Sequence, residues 1–253
     1  MKDRLLKVAV DAAEEAGDFL KKNFRCKIKL LDCKDKHLVS EADVKAEEII
    51  LSRIRDEFPE HSILSEEAGE TCRDCELEWI VDPLDGTHNY LYGIPLYGVS
   101  IAVLEGDKPI VGVIHLPETG ETYSAKDGEG SYLNSKKIKV SDREPKDAMI
   151  MFESLIYKKP EKKLDVLARL ARSVFSTRMF GVATTSFAWL ASGRTDGYII
   201  DDAKIWDVTA GAILVSEAGG CSTDFYGTPW NKYSKNIVAS NSTVHEALLK
   251  TLK

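Results

Sequence analysis

The sequence predicts a mixed α+β / α/β chain in two halves, residues 1–142 and 143–253. Three patterns carry that expectation. Two amphipathic helical segments open the chain. Short apolar segments separated by turn residues follow, as in an antiparallel meander. After about Asp142, strand-like and helix-like segments alternate, as in an α/β layer.

Residues 3–23 read as a helix, because Leu5, Ala9, Ala12, Ala16, Phe19 and Leu20 fall on one face of a helical period. Residues 26–39 are rich in Lys and Asp and hold no period, which reads as a flexible hairpin or loop. Ser40-Glu41-Ala42-Asp43 has the form of a capping box. Ala46, Ile50 and Ile54 supply the buried stripe of the second helix, and Pro59 ends it. Strands are expected at Ile63-Leu64 and Glu78–Val81. Tyr97–Leu104 and Ile110–Leu116 form a hairpin around Glu105-Gly106-Asp107-Lys108-Pro109. Glu121–Ala125 and Ser131–Val140, with an Asn134-Ser135 turn, continue the meander.

In the second half, strands are expected at Ala148–Phe152, Arg178–Phe180, Gly197–Ile200 and Asn236–Ala239. Helices are expected at Lys162–Ser173, Thr184–Ala191, Trp206–Ala218 and Val244–Leu252. Gly219-Gly220 gives the third of these a C-terminal stop. No internal repeat or low-complexity segment interrupts the alternation.

The net charge is −7 and the basic residues are scattered, which argues against a nucleic-acid partner. A small phosphorylated substrate stays open, since bound cations reverse the local sign. No apolar run approaches the roughly 20 residues of a membrane span. The first twenty residues mix charged and apolar types and do not read as a secretory leader. A cytoplasmic protein with no membrane partner is expected. Among the five cysteines, Cys72-Arg73-Asp74-Cys75 is a C-x-x-C, and Cys26 and Cys33 lie seven apart upstream. Zinc binding, disulfides and plain surface thiols all remain open, because spacing alone does not choose.

Asp82-Pro83-Leu84-Asp85-Gly86-Thr87 concentrates the chemistry. Its two carboxylates follow the apolar run Trp79-Ile80-Val81, and a tight Pro/Gly turn can aim both into one pocket. Converging hard oxygen ligands suit Mg²⁺. Gly86 and Thr87 offer backbone N–H donors at a helix start, a seat for an anion. The bland alternative is a pair of turn-capping acids. Asp43 can be explained by its capping box alone, and Asp207 by the preference for acids at helix N-termini. Phosphate monoester hydrolysis is among the slowest uncatalysed reactions. The chain offers no Cys-phosphatase loop and no cluster of its five His residues, so metal ions are the plausible agents.

Asp82–Thr87, the distant Trp206-Asp207-Val208-Thr209-Ala210-Gly211 leading into Glu217-Ala218-Gly219-Gly220, and the Glu66-Glu67 pair together resemble the inositol monophosphatase family. The resemblance covers nearly the whole chain. It implies a layered α/β/α/β/α sandwich of the sugar-phosphatase type, with the site between the halves. It implies Mg²⁺, two or three ions, held by Glu66, Asp82, the Leu84 carbonyl, Asp85 and Asp207. Asp82 would bridge two of them, and Glu67 is a near rival to Glu66. Asp43 and Thr87 would orient the attacking water, with Glu66 beside them. Asp85, Gly86, Thr87, Arg178, Ala183, Asp201 and Asp207 would meet substrate. A homodimer and lithium sensitivity are also implied.

The chain departs from the pattern of that family in three places. His37 stands where an acid is usual, and Val182 replaces a small hydroxyl residue after Gly181. Ile200 stands where animal members place an inositol-binding Glu, with Asp201 and Lys204 nearby. Gly93-Ile94-Pro95-Leu96-Tyr97 resembles archaeal members, several of which act on inositol phosphate and fructose 1,6-bisphosphate. Lys158, Lys159, Arg178 or Lys204 are candidates to meet a second phosphate. The expected activity is Mg²⁺-dependent hydrolysis of inositol monophosphate, fructose 1,6-bisphosphate or both. The rivals are a bisphosphate nucleotidase, a histidinol-phosphate phosphatase, and a non-catalytic metal-binding regulatory protein.

Overall fold

A computed structural model describes residues 1–34, 37–73, 75–153 and 156–253, apart from the side chains of Cys33, Lys34, His37 and Glu153. The questions raised by Cys33 and His37 therefore lie outside the described residues. Helix α1 (Lys2–Asn23) fully buries Leu5, Ala9, Ala12, Ala16 and Leu20, while Phe19 packs at the margin. β1 (Leu30–Lys34) and β2 (His37–Ser40) form an antiparallel hairpin. Helix α2 (Glu41–Glu57) starts at the expected capping box. Ser40 Oγ accepts from the Ala42 N–H at 3.2 Å, and Asp43 accepts the Ser40 N–H at 2.8 Å. The stripe Ala46, Ile50 and Ile54 is completely buried.

Eight strands build the larger sheet: β3 (Ser62–Ser65), β4 (Gly69–Thr71), β5 (Leu77–Asp85), β6 (Gly98–Glu105), β7 (Lys108–Leu116), β8 (Glu121–Lys126), β9 (Gly130–Leu133) and β10 (Lys136–Ile138). Their order is β10-β9-β8-β7-β6-β5-β3-β4. All neighbours are antiparallel except β3 and β5, because the chain turns through edge strand β4 before returning on the other side of β3. Short helix α3 (Thr87–Leu91) follows β5 directly.

The second sheet contains β11 (Met149–Glu153), β12 (Ser176–Arg178), β13 (Gly197–Asp201), β14 (Cys221–Thr223) and β15 (Asn236–Ser240), in the order β12-β11-β13-β15-β14. β11 runs parallel to β12 and β13. Helices α4 (Pro160–Ser173), α5 (Ala183–Ala191), α6 (Ile205–Glu217) and α7 (His245–Thr251) alternate with these strands. The strand expected at Arg178–Phe180 instead ends at Arg178, since Met149 to Met151 pair with Ser176 to Arg178. β4 and β14 were not anticipated. Both are three-residue edge strands, too short for alternation to show.

Three apolar layers separate these elements. One packs α1 and α2 on the larger sheet, a second places α5 and α6 between the sheets, and a third joins α4 and α7 to the outer face of the smaller sheet. This is the α/β/α/β/α sandwich. β5, β6 and β7 are covered on both faces, which explains their near-continuous apolar sequences. α5 and α6 cross closely at Gly211, where a Cβ would come within 2.1 Å of the Phe187 ring. Among the described residues, no helix is long and apolar enough to cross a membrane.

Candidate active site

Strand alternation starts the site. Along β5, Trp79 and Val81 face α1 and α2, and Ile80 faces the layer between the sheets. Asp82, the next even position, therefore turns toward the inter-sheet layer that holds α6. Asp85, three residues on, would normally face the opposite way. A β-bulge corrects this. Asp82 pairs with Ser100 and Asp85 with Gly98, so three steps on β5 match two on β6. The extra residue returns Asp85 to the face of Asp82. The acidic pair thus lies within β5, which continues through Asp85, and not in a turn beyond a strand ending at Val81. Pro83 is tolerated there because a bulge breaks the ladder.

Gly86 follows the strand as the N-cap of α3, and its φ of 90° lies in the left-handed region. The chain then enters α3 with Thr87 first. Thr87 Oγ1 lies 2.8 Å from Asp43 Oδ1 and 3.1 Å from the Leu84 carbonyl oxygen, so its proton is shared toward two acceptors. Asp43 also accepts from the Ser40 N–H at 2.8 Å and from Ser40 Oγ at 2.5 Å. Burial pushes the Asp43 carboxyl up, and the bonds from Ser40 and Thr87 oppose that rise. One side chain thus both caps α2 and accepts from Thr87.

Glu66 lies just beyond β3, with its N–H donating to the Val81 carbonyl at 3.2 Å, beside Asp82. Asp207 lies in the first turn of α6 and accepts the Lys204 N–H at 2.9 Å. These acids feel one another. Asp82 is 2% exposed, and burial raises its pKa well above the ordinary range, with the charges of Glu66, Asp85 and Asp207 raising it further. Burial pushes Asp207 up to about 8 and Asp85 up to about 6. Asp85 rises less because Thr184 donates to its Oδ2 twice, from N–H at 2.5 Å and from Oγ1 at 2.7 Å, and the Ala183 amide adds to this.

The donor set is hard carboxylate oxygen, crowded by mutual repulsion. Asp82, Asp85 and Asp207 pair with no Lys or Arg among the described residues. That chemistry fits a divalent cation. Among the described residues, no three His, Cys, Asp or Glu side chains already stand at coordination spacing. Asp82 hydrogen-bonds Glu66, and Thr184 holds Asp85, so these groups are engaged with protein neighbours.

The structure therefore brings together Asp43, Leu84 and Thr87 in one network, and Glu66, Asp82, Asp85 and Asp207 in another. Gly86 and Ala183 open the short helix and α5 beside them. Arg178 and Asp201 end β12 and β13, which run parallel on either side of β11, but their side chains make other contacts. Arg178 is exposed and donates to the Thr177 carbonyl at 2.9 Å, and Asp201 accepts the Asp202 N–H at 3.1 Å. Thr184 as the holder of Asp85 was missed, because 99 residues separate the two and only the fold joins them. Cys26, Cys72, Cys75 and Cys221 are free thiols.

Comparison with known proteins gives a consistent result. The profile of the inositol monophosphatase family matches residues 1–253. The fructose-1,6-bisphosphatase/inositol-1-monophosphatase of Aquifex aeolicus is 34% identical, over 99% of this chain and 96% of its own. Inositol monophosphatase 1 of Solanum lycopersicum is 33% identical, over 99% and 95%. The crystal structure of the extragenic suppressor protein suhB from Bartonella henselae superposes with a TM-score of 0.92 at 36% identity, over 99% and 98%. The class is that of phosphoric monoester hydrolases. The chain belongs to the inositol monophosphatase family, in which dependence on a divalent metal is the norm.

Proposed function

We propose that this protein hydrolyses inositol monophosphate, fructose 1,6-bisphosphate or both with Mg²⁺, two or three ions, held by Glu66, Asp82, the Leu84 carbonyl, Asp85 and Asp207. The observation that carries the reading is the bulge in β5, which turns Asp82 and Asp85 to one face toward Asp207. When bound, the ions supply Lewis acidity and a water of lowered pKa. The protein supplies the rest.

Thr87 Oγ1, already donating toward Asp43, can accept a proton from the attacking water as its own passes to Asp43 Oδ1. The N–H groups at Gly86 and Thr87 hold the phosphate at the start of α3. Asp85, Ala183 and Asp207 line the substrate side, and Arg178 swings from its own backbone toward a second phosphate. Ile200 packs against the inter-sheet core, so hydroxyl recognition at that edge falls to Asp201 and Lys204. The reading includes a homodimer, a cytoplasmic location, and no nucleic-acid or membrane partner.

The test is phosphate release from inositol 1-phosphate, fructose 1,6-bisphosphate, adenosine bisphosphate and histidinol phosphate, with Mg²⁺ and with EDTA. Release from either or both of the first two, abolished by EDTA, is expected. Preference for either of the last two would overturn the substrate assignment, and silence on all four would overturn catalysis itself.

A further inference from the structure

Helix α2 carries a second buried acid that the mechanism above does not use. Glu47 is 6% exposed and lies four residues after Asp43, one turn along the same helix face. Its Oε1 accepts three hydrogen bonds: from Ser65 Oγ, from the Glu67 N–H at 3.2 Å and from the Ala68 N–H at 2.9 Å. A buried carboxylate is costly unless its charge is met by donors. No Lys, Arg or His pairs with Glu47 among the described residues. These three donors come from the last residue of β3 and the turn that follows it, and they bracket one residue, Glu66.

We propose that Glu47 is a positioning residue that aims Glu66 at the divalent-metal site. The inference rests on the reading of Glu66 as a metal ligand. Glu47 grips the chain on both sides of Glu66, through Ser65 before it and through Glu67 and Ala68 after it. The Glu66 N–H is fixed to the Val81 carbonyl, next to Asp82. The turn thus has little freedom to rotate Glu66 away from the cluster. A carboxylate is the fitting acceptor for this task, since bonds to an ionised acceptor are shorter and stronger than neutral ones.

The same helix holds Thr87 through Asp43. One rigid turn of α2 therefore sets the water-orienting pair and the Glu66 turn against each other. Groups that orient metal ligands without touching the ion typically cost roughly 10–100-fold in metal affinity or activity when removed.

The experiment measures Mn²⁺ binding by electron paramagnetic resonance, without substrate, for the wild type, Glu47→Ala, Glu47→Gln, Ser65→Ala and Glu66→Ala. Mg²⁺ titrations of phosphate release and melting in EDTA accompany it. Glu47→Ala is expected to weaken Mn²⁺ binding by roughly 10–100-fold and to raise the Mg²⁺ half-saturation more than it lowers kcat. Glu47→Gln should restore much of the affinity, because its amide oxygen can accept the same two N–H bonds. A lower melting temperature with unchanged Mn²⁺ affinity would make Glu47 merely structural and overturn the proposal. If Glu47→Ala fails to fold, Ser65→Ala decides, with weakened binding expected and unchanged binding contradictory. Glu66→Ala separates the two levels. Unchanged binding there removes the ligand reading and this inference with it, whereas weakened binding there but in no Glu47 or Ser65 variant sinks the inference alone.

Discussion

Asp85 at the end of β5 is held by Thr184 at the start of α5, through the backbone N–H at 2.5 Å and the hydroxyl at 2.7 Å. A carboxylate from the larger sheet thereby caps a helix that belongs to the smaller one. It meets N–H groups left without partners at a helix N-terminus. This bond fixes the orientation of Asp85 and ties the two halves together across the site.

Thr184→Val keeps the shape and the N–H bond but removes the hydroxyl bond. A hydrogen bond to a charged group contributes about 1.5–3 kcal/mol. The variant should stay folded while its Mg²⁺ half-saturation rises roughly 10-fold or more. Phosphate release as a function of Mg²⁺ checks it, and an unchanged half-saturation would mean that Asp85 needs no holder.

Gly86→Ala meets two obstacles. Its φ of 90° costs a side chain about 1–2 kcal/mol. A Cβ there would also stand 3.0 Å from the Leu96 carbonyl oxygen and 3.3 Å from Val182 Cγ2. Melting should fall by several degrees, and turnover should fall much further because Thr87 moves with Gly86. Equal losses in an unrelated surface glycine variant, such as Gly120→Ala, would remove the argument for a site-specific effect.

Much of this was legible in the sequence. Helices α1 and α2, the central strands and the capping box at Ser40 follow from local period and local chemistry, so neighbours along the chain suffice to see them. The Asp82–Thr87 motif marked the candidate site but did not show its geometry. Whether residues three apart share a face depends on the pairing of β5 with β6, and only Ser100 and Gly98 reveal the bulge. Thr184 and Glu47 were invisible for a related reason. Each acts on a residue remote in sequence, and a Thr at a helix start or a Glu within a helix carries no local sign of that role. β4, β12 and β14 are short edge strands whose limits are set by partners and not by composition.

His115 makes a contribution to stability that is lost on mild acidification, opposite in sign to that of the buried acids Asp82, Asp85 and Asp207, whose raised native pKa values favour the folded state as pH falls. His115 is buried, and its Nδ1 lies 2.9 Å from Thr122 Oγ1, which donates to Glu14 at 2.8 Å. That hydroxyl has given its proton away, so Nδ1 carries the hydrogen. Burial lowers the His115 pKa below 6.5, although the Glu14 and Asp18 charges oppose the shift. The unfolded chain therefore takes up a proton near pH 6.5 that the native state still refuses. The contribution is present above that pH and is lost as pH falls toward the lower native value. Between about pH 7.5 and about pH 5.5 the stability of the wild type, read from denaturant midpoints, should fall relative to that of His115→Asn, since the buried acids are common to both. The same pH response in both proteins, or a relative rise in the wild type, would contradict the assignment. His61 and His245, also lowered by burial, remain in both proteins and cancel.

In the proposed reading, the carboxylates aligned by the β5 bulge hold the ions that drive hydrolysis. Turnover of Asp85→Asn at saturating Mg²⁺ tests it most directly, because Asn keeps the size and the Thr184 contact while losing the charge. A fall of more than about 100-fold is expected, with the fold intact by melting. Turnover essentially equal to that of the wild type would contradict it.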